Sequence, residues 1–103
     1  MKALEEFVNK ALEKYGDKIE KMILFGSYAR GDYNKDSDID ILVIWKDRKI
    51  EGWNALENIA VDLLLKFDVL ISLKIVSPSE FEIMRRLEAP FLKNIQKEGV
   101  LIG

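Results

Sequence analysis

Two aspartates, Asp38 and Asp40, stand one residue apart where a loop rich in Gly, Ser, Asn and Asp gives way to an apolar run. If that run is a strand, alternate side chains share a face, so both carboxylates project from the same side. Two such charges a few ångström apart repel strongly unless a cation lies between them. Mg²⁺ (or Mn²⁺) answers this need, because it takes one or two protein carboxylates and completes its shell with phosphate oxygens and water. Ten residues separate Asp38 from Gly26-Ser27, which closes an earlier apolar run. A backbone bare of Cβ can approach a phosphate closely, and N–H groups with the Ser27 hydroxyl can bind its oxygens. One strand end thus offers an anion cradle and the next a divalent-cation clamp. A nucleoside triphosphate chelated to Mg²⁺ is the ligand that needs both.

The counts narrow the chemistry further. The 103 residues contain 16 Lys and Arg against 18 Asp and Glu, for a net charge of −2, with no His and no Cys. Without Cys there are no disulfides, thiolate nucleophiles or thiolate metal sites. Without His there is no imidazole base and no zinc centre of the usual kind. Any metal must therefore sit on oxygens. A near-neutral chain of pI about 5.2 lacks the basic surface that duplex nucleic acid requires. No apolar run approaches the ~18 residues of a membrane-spanning helix, and acid stands where a signal peptide would carry its apolar core. The expectation is a cytoplasmic protein.

These residues need strands and helices to hold them. Leu4, Phe7, Val8, Ala11, Leu12 and Tyr15 recur at helical spacing, which predicts a helix over 2–15 with Gly16 as its cap. Residues 21–25 read as a first strand and 39–45 as a second, joined by a polar stretch with one helical turn near 28–30. After a turn-like segment, 46–52, the periodicity predicts a helix over 53–67 and a third strand over 70–76. Ser77-Pro78-Ser79-Glu80 then carries a capping-box signature, opening a helix with Phe81, Met84 and Leu87 inward. A last helix occupies 91–98. Val100-Leu101-Ile102 is open to two readings, an association surface through which the chain could form an oligomer, or a tail folded onto the sheet. Trp45 and Trp53 read as rim packing, and Asp32 and Asp36 as loop solvation. The sum is a single α/β domain over 1–103, with a small mixed three-stranded sheet and helices packed on it.

Gly-Ser, ten residues, then Asp-x-Asp resembles the signature of the DNA polymerase β-type nucleotidyltransferase superfamily. The wording Gly-Ser-Tyr-Ala-Arg-Gly…Ser-Asp-Ile-Asp-Ile-Leu-Val is similar to that of its minimal members, the MNT proteins. The resemblance implies that Gly26 and Ser27 hold the triphosphate of ATP or another NTP, and that Asp38 and Asp40 bind the metal. It does not fix a role for Arg30, a candidate phosphate partner. It also implies a third carboxylate on the third strand, and here the chain departs from it. The period-2 pattern of 70–76 puts Ile71, Leu73 and Ile75 on one face and Ser72 with Lys74 on the other, so no acid faces the other two. Asp68, just before the strand, is the nearest substitute, with Asp62 more remote.

A chain this short has no room for the helical domain with which larger relatives grip an acceptor. The resemblance implies a separately encoded HEPN-type helical partner, some such pairs being toxin and antitoxin, with a partner hydroxyl as acceptor. Two functions follow from the same residues: transfer of AMP from ATP to that partner, or a catalytically weak module that binds nucleotide and masks the partner stoichiometrically. Gly26-Ser27 with Asp38 and Asp40 speak for the first, Ser72 and Lys74 for the second. A small-molecule transferase is disfavoured, because nothing supplies an acceptor half-site.

Overall fold

The run Ile39–Trp45 is apolar at every position but Asp40, and a strand of that kind is stable only where both of its faces are covered. In the computed structural model, which describes residues 1–103, this strand (β2) is an interior strand, flanked by β1 (Ile19–Phe25) and β3 (Ile71–Val76). Its alternate residues enter two different cores. Ile41, Val43 and Trp45 pack under α1 (Lys2–Tyr15) and α3 (Lys49–Phe67), together with Phe7, Leu56 and Leu63. Leu42 and Ile44 pack on the other side, against Leu92 and Ile95 of α5 (Pro90–Glu98) and Phe81 and Met84 of α4 (Pro78–Arg86). The sheet is thus the middle layer between two pairs of helices.

β1 and β2 run antiparallel, joined through the single turn α2 (Ser27–Arg30), whereas β2 and β3 run parallel across the α3 crossover. The expected mixed sheet is therefore present, but with four strands rather than three. Val100–Leu101 forms β4, antiparallel to β1, giving the order β3-β2-β1-β4. The pairing continues past it: Ile102 N–H donates to the Met22 carbonyl and Met22 N–H to that of Gly103. Of the two readings of the apolar tail, folding onto the sheet is the one realised. Two residues are too few to display alternation, so pattern alone could not declare a strand there.

Other boundaries moved for tertiary reasons. α3 starts at Lys49 instead of 53, taking in Gly52, whose missing Cβ leaves room for the Trp45 indole; a Cβ would come within 2.8 Å of that ring. Trp45 is accordingly 1% exposed and belongs to the core, not to a rim. Leu87 was expected inward, but α4 ends at Arg86 and the Leu87 side chain is 75% exposed. No helix is long and apolar enough to cross a membrane.

Candidate active site

The site begins with the register of β1 on β2. Phe25 pairs with Asp40, so the residue after Phe25 is carried over the Asp40 side chain. That residue is Gly26, with φ 73° and ψ −156°, a conformation essentially confined to glycine. A Cβ at this point would also collide with the Asp40 carboxylate. Gly26 is therefore required twice over, for its backbone angles and for its contact. Beyond it the chain turns at once into α2, where Ala29 and Arg30 N–H groups both donate to the Gly26 carbonyl.

Gly26, Ser27, Arg30 and Asp40 line one open hollow of about 410 Å³. The antiparallel pairing has brought together residues that stand apart in the chain. Asp38 lies just before β2, exposed, and does not line the hollow. It is close enough to matter electrostatically: burial pushes the Asp40 carboxyl above its usual range, the Asp38 charge pushes it further, and Arg30 pulls it back. Arg30 itself is held by two acids, donating from Nε to Asp32 at 3.2 Å and from Nη1 to Glu98 at 3.4 Å.

The other candidates fall elsewhere. Asp68 ends α3 in the left-handed conformation, φ 54°, its N–H bonded to the Leu64 carbonyl. No group of three or more acids is placed to hold a metal together. Ser72 pairs with Asp40 across the parallel ladder and so shares its face, and Lys74 rests its ammonium 4.7 Å from the centre of the Phe91 ring. The strand position beside Asp40 thus carries a hydroxyl where an acid would complete a triad. The donors fit one hard cation carried in with phosphate oxygens, since a half-buried carboxylate that feels a second negative charge calls for a countercharge and Mg²⁺ accepts so few protein ligands. They do not fit an all-protein cage.

Sequence reasoning missed the far wall of the hollow. Phe91, Asn94, Ile95 and Glu98 of α5 line it, at the i, i+3, i+4, i+7 spacing of one helix face. The spacing is legible in the sequence, but nothing there says that this face meets the loop after β1.

The comparisons with known proteins concern the family and the fold. Residues 4–102 match the nucleotidyltransferase domain. A Methanocaldococcus jannaschii protein named "Putative protein adenylyltransferase" is 40% identical over 98 residues, 95% of this chain and 92% of that one. Among solved structures, a toxin-antitoxin with AMP-PNP contains a chain similar at TM-score 0.58 and 25% identity, over 94% of this chain and 70% of that one. A "putative nucleotidyltransferase" from Sulfolobus solfataricus follows at TM-score 0.54 and 26% identity, over 97% of this chain and 76% of that one. With the Gly26–Asp40 apposition at its centre and a domain match running almost end to end, the chain belongs to the nucleotidyltransferase family.

Proposed function

We infer that this chain transfers AMP from ATP to a hydroxyl group on a partner protein, a HEPN-type helical protein with which it forms a toxin–antitoxin pair. The observation that carries the reading is the closeness of Gly26 to the Asp40 carboxylate in a hollow shared with Ser27 and Arg30. The relative named as a protein adenylyltransferase supports the reaction class, and the toxin-antitoxin neighbour with AMP-PNP supports both the nucleotide and a partner.

In this reading the backbone at Gly26 and the Ser27 hydroxyl receive the β- and γ-phosphates, and Arg30 offers them a positive charge. Asp38 and Asp40 would hold one Mg²⁺, which when bound offsets the phosphate charge and polarises the reacting phosphoryl group. The acceptor oxygen forms a bond to the α-phosphorus as the α–β anhydride bond breaks, and pyrophosphate leaves with the electron pair. The acceptor proton must go to the partner or to solvent, since the hollow contains no His and no spare acid beyond Glu98, which is engaged by Arg30.

The test is label transfer. The chain is incubated with the protein that co-purifies with it, Mg²⁺ and α-labelled ATP, and the partner is weighed by mass spectrometry. One or more AMP units should appear on the partner. Asp38→Ala and Asp40→Ala should each cost about three orders of magnitude or more in rate, while Asp68→Asn, at a helix cap outside the hollow, should leave it within about two-fold. Ser72 beside Asp40 favours a second reading, the nucleotide-binding module that masks its partner without reacting. ATP binding with an unchanged partner mass would select that module, and transfer undiminished in Asp40→Ala would remove the site assignment.

A further inference from the structure

Two opposite charges inside the hollow meet, Arg30 and Glu98, while Arg30 keeps a second and shorter bond to Asp32, which does not line it. Arg30 comes from α2 and Glu98 from the last turn of α5, and both line the space that Gly26 and Ser27 border. Their contact of 3.4 Å is long for an N–H···O bond, and the side chains remain 43% and 37% exposed. Such a pair is weak and readily exchanged.

A carboxylate at this place is costly for a polyanion. Beside the phosphates it would repel them, and it would also occupy the guanidinium that they need. The conflict disappears if the ligand is polar in the opposite sense along its length, anionic toward Ser27 and Arg30 and rich in hydrogen-bond donors toward Glu98. The α5 wall fits such a body. Phe91, Asn94 and Glu98 follow one another along a single helix face, and Phe91 meets Phe25 edge-on with ring centres 5.4 Å apart. A nucleotide has the required polarity, since its phosphates only accept hydrogen bonds whereas its ribose hydroxyls donate them.

We propose that Glu98 is the residue by which this chain recognises the ribose of its nucleotide, and that nucleotide entry exchanges the Arg30–Glu98 bond for two bonds to the ligand. Arg30 turns to the phosphates, and a ribose hydroxyl donates to the freed Glu98 carboxylate. The proposal rests on the nucleotide reading above and adds to it the end of the site that holds the sugar.

Calorimetric titration with two probes tests it: ATP and 2′,3′-dideoxy-ATP, each with Mg²⁺, against the unaltered chain, Glu98→Ala and Glu98→Gln. The unaltered chain should bind ATP about ten-fold more tightly than the dideoxy compound, the value of one charge-assisted hydrogen bond. In Glu98→Ala that ratio should fall to within about two-fold. Glu98→Gln preserves size and helix propensity and serves if the alanine variant melts early; its ratio should fall to about three-fold, because a neutral amide oxygen accepts more weakly. Equal tightening of both probes in Glu98→Ala, with their ratio unchanged, would mean that Glu98 only restrains Arg30 and would overturn the ribose assignment. An unaltered chain that binds ATP but does not distinguish the two probes would overturn it as well, leaving the nucleotide reading intact. Failure to bind ATP at all would overturn both.

Discussion

A single atom that is absent governs the centre of this site. At Gly26 the backbone adopts φ 73° and ψ −156°, and the missing Cβ is what lets the Asp40 carboxylate lie against the chain. Gly26→Ala should therefore cost about 2 kcal/mol from backbone strain alone, a drop of roughly 10 °C in melting temperature for a domain of this size. It should also displace Asp40 and weaken ATP binding by more than about ten-fold. A thermal melt within two degrees of the unaltered protein would show that the loop absorbs the methyl and that the apposition is not needed. Asp38, expected beside Asp40, lies outside the hollow, but Gly26 and Asp40 were legible in the sequence, because few residues suit a turn that sets the backbone against a carboxylate. Glu98 and Phe91 were not. On an amphipathic helix an acid near the last turn and a phenylalanine one residue into the helix are common, and only the closure of α5 against β1 gives them a shared hollow.

Elements were readable to the extent that their signals are local. The whole of α1, all of β2 and the start of α4 carry their own periodicity or caps, and the structure places them where that reading does. The α4 start is the clearest case. Ser77 Oγ accepts from Glu80 N–H at 3.0 Å, and the Glu80 carboxylate accepts from Ser77 N–H at 2.9 Å. Glu80 also takes a bond of 3.2 Å from Lys49 of α3, tying the two helices across the edge of the sheet. Ser77→Ala should cost about 1 kcal/mol. The Ser77 N–H bond, assisted by Lys49, holds the Glu80 carboxyl below its ordinary value. A carboxyl lowered in the folded state stabilises the fold above its unfolded pKa and loses that contribution as pH falls through the folded value. The stability gap between the unaltered chain and Glu80→Gln should therefore be present at neutral pH and close below about pH 4; urea titrations at several pH values would read it. A gap that stays constant down to pH 3 would mean that the box works through shape alone. By contrast, the first turn of α3 and the burial of Trp45 depend on each other through Gly52, and no window of sequence contains the fit of an indole to a helix.

At the scale of the whole molecule the decisive feature is an edge. β1 carries the Gly26 loop, so whatever fixes its position fixes the side of the hollow proposed to receive the phosphates. β2 holds it on one side along nearly its full length, and on the other it is closed by only the short segment after α5. Ile102 packs into the α1 and α3 core, and the Met22 backbone exchanges hydrogen bonds with Ile102 and Gly103. Deleting residues 100–103 should remove about 2 kcal/mol of apolar burial at Ile102 and about 1 kcal/mol for each of the two Met22 bonds, some 4 kcal/mol in all. That is a large share of the stability of an ordinary domain. The bared β1 edge would then be free to pair with another copy. The expected outcome is a lower urea midpoint with an unchanged slope, together with a shift toward larger species in size-exclusion chromatography relative to the full chain. The loss should reach the site as well, because α5 reaches β4 directly through Gly99 and its last turn carries Glu98. A truncated chain with the same midpoint, or one that binds ATP as tightly as the full chain, would mean that β4 merely rests on the edge and that β2 alone positions the loop.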